Sequence, residues 1–109
     1  MKESTKADIE YFKGLSFSKL LDMFSYYDNI SVYFKSNTEG SFVMKSKERE
    51  KFYIIIKETE NEKHKKRALI YLYAYILEDI LVSNESYKDA ESMERRNKFV
   101  EEFNALYNK

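Results

Sequence analysis

The sequence predicts an α+β fold: two N-terminal helices, a small antiparallel three-stranded sheet, a buried central helix and a C-terminal amphipathic helix. Three observations lead there. Apolar residues recur at helical spacing up to Tyr27, alternate between Ile30 and Met44, and return to helical spacing after Arg67. From Phe52 to Val82 the chain runs through five apolar residues, eleven polar ones (Lys57 to Arg67) and a nearly unbroken apolar run from Ala68. Finally, with Gly14 and Gly40 as the only glycines and no proline, boundaries must come from helix caps and changes of period. An all-α bundle of four to five helices is the alternative, because residues 46–58 admit either a strand or a helix.

Each element has its own signal. Thr5 followed by Asp8 offers an N-cap with an acidic N3 for a short helix through Lys13, which Gly14 ends. Phe17, Leu20, Leu21, Phe24 and Tyr27 define one apolar face of a second helix. Ile9 to Met23 resembles a helix-turn-helix around Gly14-Leu15-Ser16. Glu10 and Lys13 stand where that motif needs small and apolar residues, so Gly14 reads as a plain terminator. Ile30–Lys35 and Ser41–Lys45 alternate, and the turn-rich Ser36-Asn37-Thr38-Glu39-Gly40 between them predicts a hairpin. Phe52–Ile56 supplies a buried third strand through its branched isoleucines.

Thr59 and Glu62 have capping-box spacing and place the next helix near Glu60, with Glu62 and Lys66 an i,i+4 ion pair. Leu69, Ile70, Leu72, Tyr73, Ile76, Leu77, Ile80 and Leu81 cover more than half of that helix, which makes it the centre of the core. Tyr71, Tyr75, Glu78 and Asp79 share the remaining sector. Ser83–Ser86 breaks the chain, Ser86 and Asp89 offer another cap, and Met93, Val100 and Tyr107 recur every seven, widened by Phe99, Phe103 and Leu106. At 109 residues the chain is expected to form a single domain, 1–109, burying about 65% of its unfolded surface.

Composition excludes several functions. No cysteine means no disulfide, no Cys-based zinc site and no thiol chemistry. The lone histidine, His64, sits in Lys63-His64-Lys65-Lys66-Arg67 and reads as solvated surface; a zinc site needs three or four ligands. No Gly-x-Ser-x-Gly elbow presents a nucleophile, and no glycine-rich loop cradles a phosphate. Glu58, Glu60 and Glu62 read as a solvated run. The expectation is therefore a protein that is not an enzyme, with no cofactor and no metal. Met1–Lys6 lacks a signal-peptide core and the longest apolar run is half a membrane span, so a cytoplasmic protein with no membrane partner is expected. Abundant Lys, Asn, Ile and Tyr suit an AT-rich bacterial or phage genome.

Net charge is zero, but residues 43–67 carry 9 basic against 5 acidic groups. Lys63, Lys65, Lys66 and Arg67, with Lys45, Lys47, Arg49 and Lys51 a strand earlier, are candidate nucleic-acid contacts if the third strand lies beside the helix. The 10 Tyr and 8 Phe exceed what so small a core requires, and Tyr is enriched at interface centres.

Ser41 to Leu81 resembles the strand, strand, polar loop and helix that carry the zinc motif of ImmA/IrrE-type metallopeptidases from bacterial mobile elements. That family's helix bears His-Glu-x-x-His; the equivalent stretch here, Leu72-Tyr73-Ala74-Tyr75-Ile76, holds neither ligand nor base. The resemblance implies a degenerate, non-catalytic relative that keeps a binding role. The functional expectation is a tyrosine-rich interaction module, a regulator or inhibitor from a phage or mobile element. It would bind a partner protein through Tyr71, Tyr75 and Glu78, with homo-oligomer formation open. A DNA-binding regulator using the basic patch at 45–67 is the alternative.

Overall fold

The computed structural model describes residues 1–48, 50–59, 61–80 and 90–109, with backbone alone for 90–92. Its elements run α1 (Glu3–Lys13), α2 (Phe17–Phe24), β1 (Ile30–Lys35), β2 (Phe42–Lys45), β3 (Phe52–Lys57), α3 (Glu62–Leu77) and α4 (Ala90–Tyr107). The fold class is α+β. The expected break at 83–86, the Ser86–Asp89 cap, Leu81, Glu60 and Arg49 lie outside the described residues. The chain divides into two compact units, Leu15–Leu72 and Met1–Gly14 with Tyr73–Lys109, the division falling inside α3.

In the first of these units the sheet order is β1-β3-β2. β3 pairs antiparallel with β2, Met44 opposite Tyr53, and parallel with β1, Val32 opposite Ile54. The sheet is therefore mixed rather than antiparallel throughout, and β1 and β2 do not form the hairpin that residues 36–40 suggested. Competition for burial explains the difference. Ile54, Ile55 and Ile56 are consecutive and all buried, so β3 needs a neighbouring strand on both edges, whose side chains flank Ile55 on the face opposite to Ile54 and Ile56. It takes the centre, and the half-polar β1 and β2 take the edges. Residues 36–41 then carry the chain across the end of β3. There the Lys57 N–H donates to Ser41 Oγ at 2.9 Å and the Glu58 N–H donates to the Lys35 carbonyl at 2.8 Å.

Alternation gives the sheet two unlike faces. Ile30, Ile54 and Ile56 lie buried on one, where Phe34 meets Phe17 of α2 edge-to-face at 6.0 Å. Burying each such isoleucine stabilises the fold by about 1.5–3 kcal/mol. Leu20 and Phe24 of α2 and Leu69, Ile70 and Leu72 of α3 complete this unit's core. Ser16 caps α2, its hydroxyl accepting the Lys19 N–H at 3.2 Å. α3 starts at Glu62 rather than near Glu60, and its cap is Asn61: Oδ1 accepts the His64 N–H at 3.2 Å, while Thr59 Oγ1 accepts the Asn61 N–H. Asn caps a helix at least as well as Thr, so the capping box two residues upstream loses.

The second unit packs α1 and the end of α3 with α4. α1 buries Thr5, Ile9 and Phe12, spaced along one face. Thr5 is not its N-cap. The helix begins at Glu3 without a side-chain cap, and Thr5 faces inward, its hydroxyl donating to Glu78 Oε2 at 2.6 Å. The Lys2 N–H donates to the same carboxylate at 3.1 Å, so Glu78 supplies the anion that a helix N-terminus favours. The N-terminal ammonium lies 2.8 Å from Glu102 Oε2 and 3.9 Å from Glu78 Oε1. Its hydrogen bond is the largest influence lowering the Glu102 pKa, against the opposing effect of burial.

Rings fill this unit's interior. Phe99 stacks on Phe103 and Phe103 on Tyr107, one turn apart along α4, while Tyr75 meets Phe99 edge-on and Phe12 meets Tyr73. The stripe of α4 is thus centred on Phe99 and Phe103, and Met93, at the start of the heptad reading, is exposed. α3 closes with a Schellman motif. The Ile80 N–H donates to the Tyr75 carbonyl, the Asp79 N–H to the Ile76 carbonyl, and Asp79 adopts φ 54°.

Candidate functional site

Among the described residues, the second face of the sheet carries no comparable cover. Register and alternation place Tyr33 of β1, Tyr53 and Ile55 of β3, and Phe42 and Met44 of β2 together on it. Tyr33 is 48%, Phe42 41% and Met44 53% exposed, whereas Ile55 beneath them is buried. Tyr33 and Tyr53 stack with ring centroids 6.3 Å apart. A contiguous apolar surface of this kind differs from scattered exposed side chains, which need no explanation.

Charge distinguishes the same surface. The three strands carry three charged residues, Lys35, Lys45 and Lys57, and no carboxylate. Lys35 and Lys57 are register partners on the open face. Lys51, just before β3, holds its ammonium 5.6 Å from the Tyr53 ring, a cation–π distance. The face therefore offers aromatic and aliphatic contact area edged by positive charge. Protein interfaces concentrate Tyr, Phe and Met at their centres. Its members were legible as strand residues but not as a site. The available signal is that an aromatic residue, Tyr33, stands between Ser31 and Lys35 on the otherwise polar second face of β1.

The residues singled out from the sequence fall elsewhere. Glu78 is not on an exposed edge: its side chain is 11% exposed and engaged by Lys2 and Thr5. Tyr75 packs against Phe99, with the Arg96 guanidinium 5.9 Å from its ring. Tyr71 is half-buried beside His64, Arg67 and Ala68. Those four stand at i, i+3, i+4 and i+7, so the shallow concavity they line is one face of a helix, not a cleft.

The basic residues divide as well. Lys65 is 14% exposed, its ammonium 2.7 Å from Glu58 and 5.6 and 5.7 Å from the Phe17 and Phe34 rings. Lys63 is exposed, Lys66 and Arg67 half-buried. Lys45 and Lys51 flank the other end of β3, where Lys45 pairs with Phe52 and its ammonium approaches that ring. At about 3.3 Å per residue, the six residues of β3 hold the two groups roughly 15–20 Å apart. Among the described residues, no three His, Asp or Glu side chains gather as a metal site requires. None of the described helices is long and apolar enough to cross a membrane. No known protein family, curated protein or solved structure matches the chain.

Proposed function

We propose that this chain is a non-enzymatic interaction module from a bacterial mobile element or phage that docks onto a partner protein and acts as a regulator or inhibitor. The observation that carries the reading is the open sheet face, where Tyr33, Phe42 and Met44 lie exposed together over a buried Ile55. Uncovered apolar area of this kind costs free energy in water and is recovered when a partner excludes that water. Composition supplies the source: Lys, Asn, Ile and Tyr in excess with proline absent.

The test is affinity capture from an AT-rich bacterial host by immobilised wild-type chain, by the double variant Tyr33→Ser/Phe42→Ser, and by Tyr71→Ala. Far-ultraviolet circular dichroism checks that each is folded. A host protein retained by wild type and by Tyr71→Ala, and lost at least tenfold from the double variant, supports the reading. Equal retention by all three chains, or loss confined to Tyr71→Ala, would overturn it.

A further inference from the structure

We infer that the outer edge of β1 accepts an additional strand from a partner protein, an extended segment whose side chains alternate apolar and acidic. This rests on the docking reading above and names its mode and the chemistry of the partner. The Phe52 N–H donates to the Asn29 carbonyl and the Glu58 N–H to the Lys35 carbonyl, both at 2.8 Å. In a parallel ladder that fixes the alternation: odd-numbered residues of β1 turn their amides toward β3, and Ile30, Val32 and Phe34 turn theirs outward. Among the described residues no strand pairs with that outward edge.

Edges left open are normally blunted. β2, the opposite edge, is: it has only four residues. β1 has six, in unbroken register with β3, with no proline and a single charge at its end. Both sides of this edge also have room for side chains. Toward α2, a groove of about 450 Å³ runs between Leu21, Phe24 and Tyr27 and residues 30–34, with Val32 and Phe34 half-buried along it. Toward the open face stand Tyr33 and, one step on, Lys35 beside Lys57. A strand laid against β1 therefore places every second side chain in a groove that Leu21, Phe24, Val32 and Phe34 line together with Ser25 and Ser31, and the intervening ones beside lysines that no strand carboxylate neutralises. Apolar alternating with acidic is the pattern that satisfies both.

The experiment measures fluorescence anisotropy of the full chain with four labelled probes: a peptide of about ten residues, a strand's length, alternating valine and glutamate; its valine–lysine counterpart; the valine–glutamate peptide N-methylated at alternate amides; and an oligothymidylate. Wild type is expected to bind the valine–glutamate peptide at least tenfold more tightly than the other three. Lys35→Glu with Lys57→Glu should reverse the preference between the first two. Val32→Pro removes an outward N–H without touching the β1–β3 ladder and should weaken binding at least tenfold. If that variant does not fold, the N-methylated peptide decides the same question.

Equal affinity for both unmethylated peptides, indifference to N-methylation, or preference for the oligothymidylate overturns the inference. So does a stable dimer of wild type in sedimentation that Val32→Pro dissolves, since the occupant is then a second copy of this chain. Failure of the peptides while Tyr33→Ser/Phe42→Ser still loses the host partner removes strand addition and leaves the docking face intact.

Discussion

Asp79 occupies the position after α3 where the chain turns left-handed, at φ 54°, and a side chain there meets its own backbone. Glycine is the usual residue at this place in a Schellman motif because it lacks the offending Cβ. Asp79→Gly is therefore expected to raise stability by about 0.5–1 kcal/mol, read as an increased thermal midpoint. A lowered midpoint would show that the aspartate side chain makes a contact worth more than the strain. Gly14, the residue that the sequence marks as a terminator, ends α1 with an ordinary φ of −77°. Here lies the limit of legibility at this scale. Side-chain chemistry shows which residues are able to cap or turn a helix, and Ser16 and Asn61 do so. It does not show that Thr5 bonds instead to Glu78, 73 residues away, because that choice is made by packing.

Elements were more legible than their arrangement. Caps, periods of 3.6 and 2 and the branched isoleucines of β3 pointed to the described helices and strands in order, with residues 46–58 open between strand and helix, because these are local properties. Strand order is not local: it follows from which strand most needs cover, and the isoleucine triplet of β3 outranked the turn residues at 36–40. The same distinction applies within α4. A seven-residue recurrence starting at Met93 competes there with aromatic residues four apart, and stacking of Phe99, Phe103 and Tyr107 chooses the second. Phe103 is fully buried and Met93 is 55% exposed. Phe103→Ala is thus expected to cost about 3–5 kcal/mol, and Met93→Ala less than about 0.5 kcal/mol, by chemical denaturation. Comparable losses from both would mean that the seam of α4 runs through Met93 after all.

On the scale of the whole molecule, charge is balanced in number, 19 against 19, but not in place. The sequence located the basic excess without showing what each cation faces or what covers each side of a strand, so the open sheet face was not legible in it. In the fold, Lys65 is held by Glu58, and among the described residues of that basic segment Lys45 and Lys51 flank one end of β3 while Lys57 closes the other and Lys63, Lys66 and Arg67 follow on α3. Duplex DNA binding draws its strength from phosphates neutralised together, each contributing a slope of about −0.9 to log K against log salt. A neutral molecule whose cations are split in this way engages few phosphates at once. Its affinity for random duplex DNA at physiological salt is therefore expected to be weaker than about 100 μM, the weak end of non-specific binding. Reversing Lys63 and Lys66 to glutamate should leave that value unchanged within twofold. An acidic peptide at the β1 edge needs only Lys35 and Lys57, which stand side by side. Micromolar duplex binding with a salt slope near −4 or steeper, abolished by the two reversals, would return the basic helix to the centre of the functional account.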